Sequence, residues 1–171
     1  MRITALRVLS VVLPVLFASV FPAEAEQKVA PPPQIPYGAP ISLDQAQKVM
    51  GGAEAEAKKG SLNVVIAILD SGANLVALQR LDGAQLGSLE NAMDKARSAV
   101  LFRRPTKVFQ DRIGQPGSAN IRLLGLRGAN IIEGGWPIVV NGKVIGAIGV
   151  SGGLVEQDTQ VAKAGIAALT K

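Results

Sequence analysis

The stretch Gly134-Gly135-Trp136-Pro137-Ile138-Val139-Val140-Asn141-Gly142-Lys143-Val144-Ile145-Gly146-Ala147-Ile148-Gly149-Val150-Ser151 decides the fold. Asn141-Gly142 is the strongest short-range signal for a two-residue hairpin turn, because both residues tolerate the positive φ such a turn demands. The β-branched runs on either side, Trp136 to Val140 and Lys143 to Ser151, then become antiparallel strands. A second hairpin stands upstream. Asn63 to Asp70 is rich in Val and Ile, Ser71-Gly72-Ala73-Asn74 reads as a turn, and Leu75 to Leu81 returns. Hairpins rather than crossovers imply an antiparallel sheet.

Helices separate the hairpins. Ser42 with Gln45 makes a capping box, and Asp44 suits the positive end of a helix dipole. Leu43, Ala46, Val49, Met50, Ala53 and Ala57 recur at helical spacing until Gly60. Gly51, Gly52 and Ala53 give that helix a small-residue surface fit for close packing. A second helix runs from about Leu86 to Phe102, with Leu89, Ala92, Met93, Ala96, Ala99 and Val100 on one face. Lys95, between Asp94 and Arg97, reads as a solvated edge of it. Pro105 ends it, since the residue before Pro avoids helical geometry. Thr106 is placed to cap a short helix through Ile113. Residues 114–130 carry four Gly and one Pro and no assignable element. The last helix spans about Val155 to Leu169. Glu156 and Asp158 lie in its first turn, and Val161, Ala162, Gly165, Ile166 and Leu169 form its apolar face. The expectation is one α/β (α+β) domain over residues 41–171.

The N-terminal region reads differently. Arg2 and Arg7 precede an apolar run from Val8 to Phe21, and Ala23 and Ala25 supply the small-residue pattern of a cleavage site. Residues 1–25 are therefore expected to be a signal peptide, with the mature chain beginning at or near Glu26 in the periplasm or outside the cell. The run falls short of the roughly 20 apolar residues that cross a bilayer, so no membrane span is expected after cleavage. Residues 26–40, with Pro31-Pro32-Pro33, Pro36 and Pro40, favour extended polyproline geometry and read as a tether.

Composition narrows the chemistry. The net charge is +5. Removing Arg2, Arg7 and Glu24 leaves 16 positive against 12 negative groups, interspersed. That balance suits an anionic small molecule. It provides no Lys/Arg run for nucleic acid, and Tyr37, Phe102, Phe109 and Trp136 are too few for a base-stacking platform. The 171 residues contain no Cys and no His. Disulfides and Ser-His-Asp or Cys-His catalysis are excluded, the commonest metal ligand is missing, and no metal site is expected.

The motifs taken together resemble the GlcG/HbpS-like family, also met as the C-terminal domain of PduO proteins. Lys95-Ala96-Arg97-Ser98-Ala99, then Phe102 and Pro105-Thr106, match its Lys-Ala-x-x-Ala helix and following Phe and Pro-Thr. Gly134-Gly135-Trp136-Pro137 and the Asn141-Gly142 turn match a strand start and hairpin. Gly146-Ala147-Ile148-Gly149-Val150-Ser151-Gly152 matches the strand end, and Glu156-Gln157-Asp158 the acidic opening of the last helix. The match covers about residues 41–170. It implies a profilin-like, five-stranded antiparallel sheet with helices on both faces, a homo-oligomer, and haem or small-acid and corrinoid chemistry. A His ligand is usual for haem; in its absence Tyr37, Met50, Met93 and Lys side chains are the remaining candidates.

Site candidates follow. Ser151, Gly152 and Gly153 lead into a helix whose free N–H groups attract anions, or they are a turn that needs positive φ. Gly134 and Gly135 line a cleft or form a bulge where the sheet bends. Arg103 and Arg104 are able to clamp a carboxylate or a haem propionate in a guanidinium fork, or they complement a helix C-terminus. Asp70 reads as a turn residue. Glu133, Asp158 and Arg104 are the best set for acid–base catalysis. Two functions compete: an exported binding protein for haem or a related anionic ligand, serving sensing or scavenging, and an enzyme performing tautomerase- or hydratase-like proton transfer on a small organic acid.

Overall fold

The structure, a computed structural model, describes residues 34–116 and 118–169. The expected signal peptide and most of the tether lie outside these residues. Helix α1 (Leu43–Lys59) opens with the capping box: Ser42 Oγ accepts from the Gln45 N–H, and Gln45 Oε1 accepts from the Ser42 N–H. Strands β1 (Val65–Asp70) and β2 (Leu75–Arg80) form the first hairpin. Helices α2 (Ser88–Phe102) and α3 (Lys107–Ile113) follow, then a 3-10 segment (Ser118–Gly125). Strands β3 (Gly135–Val140) and β4 (Lys143–Ser151) form the second hairpin, and α4 (Val155–Leu169) ends the fold.

The sheet has four strands in the order β2-β1-β4-β3, all antiparallel. The expected fifth strand is absent among the described residues. Residues 36–41 run beside the start of β4 and make one isolated parallel bridge, between Tyr37 and Val144. Gly38 N–H donates to Val144 O at 2.8 Å, and Val144 N–H to Pro36 O at 2.9 Å. Pro36 and Pro40 have no N–H to give, so a regular ladder does not extend. The bridge still satisfies the start of β4 beyond the end of β1, which stops at the Asp70–Gly146 pair.

Helices cover both faces. On one, α1 and α4 pack over Ile66, Ile68, Ile138, Ile148 and Val150. On the other, α2 lays Ala92, Ala96 and Ala99 over Val65, Ala67, Leu69 and Ala147. Alternation along β1 and β4 sends successive side chains to the two cores. Helix α2 sits unusually close. A Cβ on Gly149 would collide with the Ala92 carbonyl oxygen, and one on Gly135 with that of Lys95. These glycines let a helix backbone rest directly on the sheet.

Candidate functional site

Of the residues singled out in the sequence, Glu133, Gly134, Gly135, Ser151, Gly152, Gly153 and Asp158 converge where β3 begins, β4 ends and α4 starts, beneath α2. Their centre is Lys95. It is 2% exposed, not a solvated edge, because it shares the apolar stripe of Ala92, Ala96 and Ala99. Its spacing on that stripe was the signal, and the neighbouring Asp94 and Arg97 masked it. The ammonium donates to Asp158 Oδ2 at 2.8 Å and to Val150 O at 2.9 Å. Asp158 is equally buried, and its Oδ1 accepts from the Gly153 N–H at 2.9 Å. Burial pushes the Asp158 carboxyl above its ordinary value, against the opposing pull of Lys95.

The glycines shape this pair's surroundings. Gly134 has φ +122°, and a Cβ there would lie 2.7 Å from Val150 O and 2.9 Å from Lys95 Nζ. Gly152 has φ +138°, and its Cβ would meet Asn63 O at 2.6 Å. Ser151 Oγ donates to Ser88 Oγ at 3.5 Å. The N–H groups at the start of α4 are occupied from within: Gly153 by Asp158 and Leu154 by Gln157 Oε1 at 2.9 Å.

Glu133, in the loop just before β3, meets α4 at Thr159, one residue beyond Asp158. It is buried, and its Oε1 accepts from Thr159 Oγ1 at 2.8 Å. Lys107 Nζ stands 3.7 Å from its Oε2, and the Glu133 N–H donates to Gln110 Oε1 at 2.9 Å. Trp136 Nε1 donates to Thr159 Oγ1 at 3.4 Å, with Lys163 Nζ 4.4 Å over its ring. Thr106 does not cap α3 through its side chain. Its hydroxyl accepts from the Gly135 N–H at 3.0 Å, and its N–H donates to Gly135 O at 3.0 Å. That double bond ties the outer edge of β3 to the start of α3.

Arg103 and Arg104 have their contacts elsewhere. Arg103 takes a left-handed backbone (φ +51°) at the end of α2, donates to Ile35 O at 3.1 Å, and lies 4.9 Å over the Tyr37 ring. Arg104 Nε donates to Phe102 O at 3.0 Å, and its guanidinium lies 6.0 Å over Phe109. Asp70 behaves as a turn residue, its Oδ1 accepting from the Gly72 and Asn74 N–H groups at 2.8 and 2.9 Å.

The candidate iron ligands are poorly placed. Tyr37 donates its hydroxyl to Val100 O and Leu101 O, at 2.9 and 3.0 Å. Met50 is buried in the α1–α4 core, Met93 is a half-buried residue of α2 packed against the cluster of Ala92 and Ala96, and the Lys95 ammonium is bound. This donor set does not fit an iron centre. Among the described residues no helix is long and apolar enough to cross a membrane.

Residues 41–167 match the family model described as "Haem degrading protein HbpS-like". An uncharacterized 15.0 kDa protein of Citrobacter freundii, from the dhaT-dhaS intergenic region, is 40% identical over 130 residues, covering 73% of this chain and 89% of that one. Protein GlcG of Escherichia coli K12 is 38% identical over 111 residues, 65% of this chain and 81% of that one. A crystal structure of a PduOC:heme complex superposes with a TM-score of 0.69 at 30% identity, covering 76% of this chain and 95% of that one.

Proposed function

Because the chain belongs to the HbpS-like family, we propose that it is an exported, homo-oligomeric binding protein for a small anionic ligand, with haem the first ligand to test. The observation that carries this reading is the solved haem complex of a chain with the same fold at 30% identity. The polar cluster supports binding over catalysis. Lys95 and Asp158 bind each other, Asp158 also takes the Gly153 N–H, and Glu133 accepts from Thr159, so the two buried carboxylates are already engaged within the protein.

The test is a haemin titration of the exported chain, followed by its absorption band and by the quenching of Trp136, the single tryptophan. Saturable binding is expected. A linear, non-saturating response overturns haem as the ligand, and small hydroxy and keto acids are then screened by thermal shift. Turnover of such an acid that disappears in Glu133→Gln or Asp158→Asn would establish the enzyme reading instead. Mass spectrometry of the exported material is expected to find Glu26 at the N-terminus. Light scattering is expected to give a mass above that of one chain.

A further inference from the structure

A second surface lies apart from the glycines. Between Asp111 and Glu133 the chain has no Asp or Glu, while Arg112, Arg122 and Arg127 fall within it. In this stretch Ile121 is 62%, Leu124 57% and Leu126 39% exposed. In a 3-10 segment residues three apart align, so Ile121 and Leu124 form one outward row. The 3-10 segment packs against α3, and three residues past its end the chain reaches α2: a Cβ on Gly128 would lie 3.2 Å from Leu101 Cδ1. Leu101 is 46% exposed, and Tyr37, bonded to its carbonyl, is 44% exposed. Asp94, in the small cleft beside Gly128, is accompanied by Arg97. The result is an apolar shelf with an arginine margin. Exposed apolar groups massed in one place on a small domain mark a binding surface.

We infer that this shelf is the ligand seat, and that it takes an amphiphilic dianion, a flat apolar body bearing carboxylates, through that body and those carboxylates rather than through a ligated metal. The inference rests on the binding function proposed above and adds where and how the ligand is held. Charge complementarity selects the occupant: arginines at 122 and 127 interleave with the aliphatic side chains, as carboxylates at the rim of an apolar plate require. The engagement of Tyr37 and Lys95 in other bonds and the burial of Met50 in the core select the mode.

The experiment titrates the exported chain with haemin and with metal-free protoporphyrin IX, reading Trp136 quenching and the porphyrin absorption band. The two affinities are expected to agree within about threefold, well under one decade in Kd. Leu124→Asp and Arg122→Glu, both at exposed positions, are expected to weaken both ligands by roughly tenfold or more, since burial of a Leu side chain is worth over a decade in affinity. Their thermal melts are expected to match the parent. Tight haemin binding with no protoporphyrin binding overturns the metal-free mode but leaves the binding function standing. Unchanged affinity in Leu124→Asp and Arg122→Glu overturns the seat. Loss of both porphyrins in the parent overturns seat and function together. Two further outcomes also overturn the seat. One is sedimentation with phosphatidylglycerol vesicles that excess protoporphyrin does not relieve, which assigns the shelf to a membrane. The other is a fall in light-scattering mass in Leu124→Asp, which assigns it to a second copy of the chain.

Discussion

Lys95→Met is the perturbation that probes the interior most directly. Lys95 and Asp158 are each 2% exposed and 2.8 Å apart. Removing one partner of a buried ion pair leaves an uncompensated charge and costs about 3–5 kcal/mol. Val150 O also loses its donor, but Val150 N–H still bonds Gly134 O at 3.0 Å, so the strand pairing survives. Against a total stability of about 5–15 kcal/mol, the variant folds but weakly, and urea unfolding at low temperature is the suitable assay.

The pH dependence identifies the cause. The Asp158 carboxyl lies above its ordinary value of 3.8 in the fold, with burial as the leading cause. A raised carboxyl means that the folded state holds a proton the unfolded chain has lost. The stability from this group is therefore present at low pH and falls as pH rises from 3.8 to the folded value, by about 1.4 kcal/mol per pH unit. Without the Lys95 ammonium the folded value climbs further, and the window of loss extends upward. The penalty of Lys95→Met is thus expected to be smaller at pH 5 than at pH 7.5, and the added Asp158→Asn change is expected to abolish that difference. A penalty under about 1 kcal/mol, or one equal at both pH values, would refute the assignment of a buried, charge-paired Asp158.

Gly149→Ala drives a methyl into the Ala92 carbonyl and is expected to cost about 1–3 kcal/mol or more by overpacking. Gly51→Ala, with nothing within 4 Å of the new methyl, is expected to stabilise by about 0.5–1 kcal/mol; paired melting curves check both. Thr106→Val leaves the buried Gly135 N–H without its acceptor and is expected to cost about 1–3 kcal/mol, with faster amide exchange along β3. Asp70 carries the opposite pH sign from Asp158. Burial raises its carboxyl, but bonds from Asn74 and Gly72 outweigh that and hold it below 3.8. Its contribution is present above pH 3.8 and lost as pH falls through the folded value. Because Asp70 is only half-buried at a turn, Asp70→Ala is expected to cost about 1 kcal/mol or less at pH 7 and progressively less as the pH falls below 3.8.

Both hairpins, the capping box and the last helix were legible because each is a local device: Asn141-Gly142, Ser42 with Gln45, and a 3.6-residue stripe from Val161 to Leu169. The count of strands was not local. It came with the family resemblance, and Pro36 and Pro40 removed the donors a fifth strand needs. The burial of Lys95 is hidden in the sequence because its charged neighbours there are not its neighbours in space. On a helix, Asp94 and Arg97 point away from it, while Ala92 and Ala99 share its side. Thr106 was read as a cap because it precedes a helix, but its hydroxyl serves a strand 29 residues on. Residues 114–130 gave no periodicity to read, and the apolar shelf lies there. Glycines drew attention to the end of the sheet for a sound reason, close approach. What approaches is the protein itself, through the Ala92 and Lys95 carbonyls and the Lys95 ammonium.

Glu133 joins the interior to the shelf. It closes the acid-free stretch that began after Asp111, and three groups hold it: the Thr159 hydroxyl, the Gln110 side chain on its N–H, and Lys107. Thr159 follows Asp158 on α4, so the helix position set by the Lys95–Asp158 pair also sets the hydroxyl that holds Glu133. A buried ion pair seldom adds net stability over apolar packing, so positioning α4, and with it the end of the shelf, is the better account of the pair's presence. Glu133→Ala keeps the backbone bond to Gln110 but removes the side-chain tie. It is expected to free the C-terminal end of the stretch and to speed trypsin cleavage at Arg122 and Arg127 in the folded protein, since local opening sets cleavage in mobile segments. Porphyrin affinity is expected to fall as well, although residue 133 lies outside the shelf. Cleavage at the parent rate, with global stability matched by adjusting temperature, would show that Glu133 does not hold the shelf.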